Sequence, residues 1–64
     1  MIRKRTLMKM TLAVELAGNN MAYLAAEAVH TGSKKSATRY AAARERFHDA
    51  LEVLKAALAG LSIP

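Results

Sequence analysis

The sequence contains no cysteine, and its single proline is the last of the 64 residues. The absence of cysteine excludes a disulfide framework and any metal site built from thiolates. Glycine occurs three times, and aromatic residues make up 5% of the chain. Because turns rich in glycine and proline separate the strands of β-rich domains, this composition argues against such a domain and favours close-packed helices.

The chain is short, so it can form one small domain at most. A domain of this size buries only about 60% of the surface of its unfolded chain and is marginally stable alone. Small proteins gain stability from disulfides, a metal or self-association. Because the sequence has neither disulfides nor thiolate ligands, self-association is the remaining source of stability. A hydrophobic content of 53% argues against disorder.

The chain is basic, with a formal net charge of +5 and a sequence pI near 10.1. A polyanion or an acidic protein surface fits this charge as a partner, although the same charge could serve solubility alone. Residues 1–5 resemble the basic start of a signal peptide, but Lys9 and Glu15 interrupt the apolar stretch that follows. That stretch is also too short and too charged to span a bilayer, so we expect a cytoplasmic protein without a membrane span.

Two long helices account for nearly the whole chain. The pattern of apolar residues predicts one helix over about 6–29 and a second over about 36–59, joined by a turn at 30–35. Residues 1–5 are predicted to be flexible. A short connection makes two long helices antiparallel neighbours, so the predicted fold is an all-α helical hairpin that forms a single domain.

Glycine and serine residues mark the predicted helix ends. Gly32 stands where the first helix should end, because glycine is favoured just past a helix C-terminus. Ser33 or Ser36 is expected to cap the second helix, and Gly60 is expected to end it. Gly18 is a weak point within the first helix.

Each predicted helix has an apolar face suited to packing against the other. Side chains three and four apart lie on one side of a helix, and both faces repeat at that spacing. Alanines on both faces allow the two backbones to approach closely. On the second helix this seam comprises Tyr40, Ala43, Phe47, Ala50, Leu51, Leu54, Ala57, Leu58 and Leu61. On the first helix it comprises Met10, Val14, Ala17, Met21, Leu24 and Ala28.

The first helix has a second apolar strip on nearly the opposite face, formed by Leu12, Leu16 and Tyr23 with Asn19 among them. A helix that is apolar on two sides is usually buried on two sides. We therefore predict that this strip is the interface of a homodimeric four-helix bundle, in which Asn19 could fix the register. The alternative is that these are scattered exposed apolar residues, which are common.

No arrangement of residues indicates catalysis or a metal. Glu45 and His48 have the Glu-x-x-His spacing of di-metal carboxylate bundles, but such a site needs inward-facing ligands. Phe47 should point into the seam, which turns Glu45 well away from the core and His48 to its flank. Glu45, Asp49 and Glu52 share the outer face of the second helix, and acid–base chemistry would require a pocket that separates their pKa values. We predict no enzyme activity, no metal and no cofactor.

Basic residues surround the predicted turn. Lys34, Lys35 and Arg39 lie in the first turns of the second helix, where the macrodipole favours acidic residues. Arg44 follows Tyr40 by one turn, a spacing suited to a cation–π contact. Because arginine and tyrosine are typical of interface hot spots, these five residues are the predicted partner-binding patch. Alternatively, Tyr40 only ends the seam and the lysines keep the turn soluble.

The second helix opens with Ser-Ala-Thr-Arg-Tyr at 36–40 and continues through His-Asp-Ala-Leu-Glu at 48–52 to an end rich in alanine and leucine. In these segments and in its hairpin layout, the chain resembles the phage-encoded anti-activators of bacterial quorum sensing, which are short helical-hairpin dimers. The resemblance implies binding to a LuxR-type transcription regulator, and also to the type IV pilus ATPase, in the cytoplasm of a bacterial host cell. It matches Tyr40 to the family's tyrosine at the start of the second helix and Arg44 to a neighbouring contact. The first helix and the basic charge depart from the family.

The leading functional hypothesis is a non-enzymatic protein–protein interaction module that inhibits or modulates a host protein. The main alternative is a basic helical bundle that binds nucleic acid through the paired basic ends of the dimer. A third class, binding to a membrane surface by a basic amphipathic segment, would use residues 1–16.

Overall fold

The chain folds into two antiparallel helices in the computed structural model, which describes residues 3–62 and the side chains as far as residue 60. Helix α1 spans Lys4–Thr31 and helix α2 spans Lys34–Ser62. The helices pack against each other along their length, in a shape of 49 × 17 × 12 Å. The predicted helical hairpin is confirmed. Both helices extend beyond their predicted ends, because helix propensity alone places boundaries only to within a few residues.

The turn between the helices is shorter than predicted. The sequence suggested six residues, 30–35, but only Gly32 and Ser33 lie outside the helices. Gly32 has φ 63° and ψ 16°, the left-handed conformation, and its N–H donates to the carbonyl oxygen of Ala28 at 2.8 Å. This arrangement closes α1 within a single residue, so Lys34 and Lys35 already belong to α2.

Ser33, and not Ser36, caps the second helix. The Ser33 Oγ accepts a hydrogen bond from the N–H of Ser36 at 3.0 Å, which satisfies one of the free N–H groups of the first turn. Ser36 lies within that turn and is buried, and its Oγ accepts hydrogen bonds from the hydroxyls of Thr31 at 3.0 Å and Ser33 at 2.9 Å. The cap and the buried hydroxyl together fix where α2 leaves the turn.

Gly32→Ala is expected to lower the free energy of unfolding by about 1–2 kcal/mol, because a side chain disfavours the left-handed conformation. Gly60→Ala is the matched control. Gly60 was expected to end α2 but lies inside it, with open space around it, so alanine there should stabilise by about 0.5–1 kcal/mol. Urea unfolding at one protein concentration measures both shifts. Equal shifts of the same sign would contradict the role given to Gly32.

Alanines form the most deeply buried part of the seam. Ala43 is 2% exposed and Ala57 is 7% exposed, and they are the buried apolar residues of the described chain. The predicted faces of both helices point toward each other, and their larger side chains are half-buried. Leu58 is an exception at 45% exposed, because one neighbouring helix covers only a narrow stripe of α2. The side chain of Leu61 lies outside the described residues.

Gly18 is a close-packing position as well as a weak point in α1. A Cβ atom at Gly18 would lie 3.2 Å from Cε1 and 3.5 Å from Cδ1 of Phe47. The absence of a side chain therefore lets the Phe47 ring lie directly against the α1 backbone. The cost in helix propensity, about 1 kcal/mol relative to alanine, is offset by the packing of the Phe47 ring.

Candidate functional site

Tyr40 lies in a shallow groove of about 590 Å³ on the surface of α2. The residues that line it, called the Tyr40 edge below, are Tyr40, Ala41, Arg44, Glu45, His48 and Asp49. Tyr40 is half-buried because it is also the first aromatic residue of the seam, whereas the others are exposed. Residues of α2 four apart stand one above another on the helix surface, which is why Tyr40, Arg44 and His48 lie together.

The five residues of the predicted partner-binding patch do not share one surface. Arg44 is one turn from Tyr40 and lines the same groove. Arg39 is five residues before Arg44, about 140° away around the helix, so it lies on the other flank of α2 with Lys35. Lys34 is the first residue of α2. Only Tyr40 and Arg44 of the predicted set therefore belong to the groove.

The groove carries charges of both signs. Glu45 and Asp49 line it together with Arg44 and His48. The sequence interpretation placed Glu45 and Asp49 on a separate solvated face and gave His48 no role. The repeat of four residues from Tyr40 to His48 was the signal that could have brought these side chains into the site.

The polar groups of the groove have open hydrogen-bonding capacity. Within residues 3–62, the Tyr40 hydroxyl and the Arg44 guanidinium form no hydrogen bond or ion pair, and no cation–π contact joins them. The ring contact of this region is instead between Phe47 and His48, edge to face, with centroids 6.1 Å apart and an interplanar angle of 78°. This contact joins the His48 ring to Phe47, a residue of the seam.

Cations without acidic neighbours mark the start of both helices. Neither α1 nor α2 has an acidic residue in its first turn, and Arg3 precedes α1 without a capping side-chain hydrogen bond. Lys34 and Lys35 begin α2 and are exposed. Positive charge at a helix N-terminus opposes the macrodipole and costs up to about 1 kcal/mol per residue. The two basic clusters lie at opposite ends of the elongated hairpin.

Glu45 and His48, the pair with Glu-x-x-His spacing, both line the Tyr40 edge. Both side chains are exposed and face away from the seam. Among the described residues, no group of three or more histidine and carboxylate side chains is placed to hold a metal ion. The groove is also open to solvent over its length, so its geometry favours contact with a surface over enclosure of a small substrate.

The second apolar strip of α1 is exposed in the single chain. Leu12 is 52% exposed, Leu16 60% and Tyr23 67%, and Asn19 is exposed between them. We call these four residues the outer strip. It lies about 150° around α1 from the seam, so α2 cannot cover it. A second shallow groove of about 560 Å³ adjoins one end of the outer strip and is lined by Lys4, Leu7, Met8, Lys9, Thr11, Leu12 and Glu15.

Comparison with known proteins gives the chain no relatives: no protein-family model, curated protein or solved structure matches it. The similarity to the quorum-sensing anti-activators therefore stays a prediction from the residues of the second helix. In the part of the chain that the structure describes, neither helix is apolar enough over a sufficient length to cross a membrane.

Proposed function

We propose that this protein is a non-enzymatic interaction module, a homodimeric helical hairpin that inhibits or modulates a host regulatory protein through the Tyr40 edge. The observation that carries the proposal is the pairing of Tyr40 and Arg44 in one groove without polar partners within the described chain. Tyrosine and arginine are enriched among the residues that dominate binding energy at protein interfaces.

Packing in the seam restricts the Tyr40 side chain before a partner binds. Its ring is half-buried at the start of the seam, beside the capped first turns of α2, so little side-chain freedom is lost when a partner covers it. The ring supplies apolar contact area, and its hydroxyl supplies a polar group at the rim. A preorganised aromatic side chain of this kind is typical of the centre of an interface.

The charges of the groove favour a partner surface of mixed polarity. Arg44 can hold a carboxylate through two parallel hydrogen bonds, and Glu45 and Asp49 can receive a basic or N–H group from the same partner. Lys34, Lys35 and Arg39 lie outside the groove, where exposed cations raise the rate of encounter with an acidic surface more than the final affinity.

A second copy of the chain covers the outer strip in this proposal. A single hairpin leaves three large apolar side chains of that strip more than half exposed, and association is the remaining source of stability for a chain without disulfides. The dimer is the scaffold, and the Tyr40 edge is the recognition site.

Similarity to the phage-encoded anti-activators supplies the first partners to test, a LuxR-type transcription regulator and the type IV pilus ATPase. In that setting the protein would be a phage-type inhibitor acting in the bacterial cytoplasm. Tyr40 would be the central contact and Arg44 its neighbour.

Nucleic acid is the second candidate partner, and one observation favours it: both helices begin with cations and no acidic residue. Phosphate groups would bind such helix ends. The two ends are separated by the length of the hairpin, however, whereas the groove places its tyrosine and arginine together. The observations therefore favour a protein partner.

A capture experiment, together with DNA binding measured at two salt concentrations, distinguishes protein binding from nucleic-acid binding. The immobilised chain is incubated with bacterial lysate with and without nuclease, and with a purified LuxR-type regulator. We expect stoichiometric capture of a protein that survives nuclease. Fluorescence anisotropy with a duplex DNA probe at low and high salt is the second arm. Tight DNA binding that falls by about 0.9 log units per log of salt for each phosphate contact, with capture abolished by nuclease, would contradict the proposal.

A further inference from the structure

We infer that two copies pair antiparallel through their outer strips, forming a flat layer in the order α2, α1, partner α1, partner α2, with both Tyr40 edges left free. The inference rests on the homodimer proposed above and adds its geometry. It replaces the compact four-helix bundle suggested by the sequence with an open layer that carries two recognition sites.

The surface area of the single chain indicates that a face is uncovered. The accessible surface is 5,210 Å², whereas a compact monomer of this mass exposes roughly 4,000 Å². A stable dimer buries roughly 800 Å² on each partner, so covering one face would bring the exposed surface close to the ordinary value. The outer strip is the face with the most exposed large apolar side chains on α1.

The spacing of the outer strip is self-complementary in the antiparallel direction. Its members follow each other at intervals of four, three and four residues, the pattern of a coiled-coil seam. With a two-fold axis between residues 17 and 18, Leu12 lies opposite the partner's Tyr23, and Leu16 lies opposite the partner's Asn19. The same register continues outward, where Lys9 meets the partner's Ala26.

Charge selects the antiparallel direction over the parallel one. The first turns of α1 carry Arg3, Lys4, Arg5 and Lys9 without an acidic residue in the first turn, and a parallel pair would place both basic ends together. In the antiparallel pair each basic end lies beside the negative pole of the partner's α1. Lys9 then lies close to the partner's Glu27, which is half-buried on the same flank.

The position of the outer strip makes the assembly a layer. Because the strip lies about 150° around α1 from the seam, the partner copy approaches from the side away from α2. Each α2 is then separated from the partner by the full width of α1, roughly 8–10 Å between axes. Lys34 and Lys35 begin α2, so the width of α1 separates them from the dimer interface, whereas the charges of α1 lie beside it.

The layer leaves both Tyr40 edges accessible. The groove is lined only by residues of α2, which forms the outer edge of the layer on each side. The dimer interface and the surface that recognises the host protein therefore do not overlap. One dimer can bind two molecules of the host protein, or two sites of a dimeric host protein. Simultaneous binding at two sites raises the apparent affinity without any new contact.

Engineered cysteines test this geometry, since the natural chain contains none. Lys9→Cys and Ala26→Cys are prepared as separate chains, which keeps every large apolar residue of the outer strip. Under mild oxidation of a refolded mixture, we expect a disulfide between the two different chains, because these positions face each other. Each chain alone should stay uncrosslinked, because identical positions would lie about 25 Å apart along the antiparallel axis, beyond disulfide reach.

Sedimentation equilibrium of the unmodified chain completes the test, with a dimer as the expected species. Disulfides formed by either variant alone would establish the parallel arrangement and overturn the inference. A monomer at all concentrations would overturn the homodimer itself, and a dimer with no cross-link in any mixture would place its interface elsewhere. None of these readouts depends on partner capture, so failure of the geometry and failure of the proposed recognition site are distinguishable.

Discussion

Ala43→Leu is expected to lower the free energy of unfolding by about 1–3 kcal/mol, the usual cost of overpacking a filled interior. Ala43 is the most buried side chain of the described chain, at 2% exposed, and it lies in the seam between the two helices. Three added carbon atoms have no free volume there, so the helices must move apart or the side chain must adopt a strained rotamer. For a domain of this size, each kcal/mol lowers Tm by about 4–8 °C.

Ala42→Leu is the matched control for this prediction. Ala42 is the preceding residue of the same helix, but it is exposed, so the added side chain meets solvent. Its effect on the free energy of unfolding should stay within about 0.5 kcal/mol. Thermal unfolding followed by circular dichroism measures both variants, and equal changes in Tm would show that the seam is not close-packed at Ala43.

The fold was predictable because the apolar spacing and the turn residues agree. Residues at three-four spacing on both helices predicted the seam, and its larger side chains are less exposed than the outer strip. Gly32 and Ser33 were recognised as the turn because each residue has a conformational or capping role that few others fill. The helix ends were less accurate, since Lys34 and Lys35 are compatible with either a loop or a first turn.

Two features are missing from the sequence prediction, and only the first of them requires knowledge of three-dimensional contacts. For Gly18 the sequence predicts only a weak point in the helix. Its packing role depends on which side chain of α2 lies opposite, and that side chain is Phe47. The second was the composition of the Tyr40 edge. The sequence prediction includes Arg39 as a cation of the first turns of α2, although adjacent residues point about 100° apart on a helix and Arg39 lies outside the groove. It considers His48 only as a metal ligand.

The double variant Tyr40→Ala/Arg44→Ala should reduce affinity for the captured partner by at least about 100-fold. Truncation of a hot-spot tyrosine or arginine typically costs about 2 kcal/mol or more, and a loss of 1.4 kcal/mol is tenfold in Kd. Helix content and the dimer should change little, because both side chains lie outside the outer strip and the deepest part of the seam is formed by other residues.

The most direct measurement is a calorimetric titration of the captured partner with the natural chain, this double variant and Arg46→Ala. Arg46 is an exposed arginine of the same helix but lies outside the groove. Its replacement by alanine lowers the net charge by the same amount as the replacement of Arg44. We predict a Kd within about threefold of the natural value for Arg46→Ala and at least about 100-fold weaker binding for the double variant. Equal affinities for all three chains, with helicity and dimer intact, would show that the Tyr40 edge is not the recognition site.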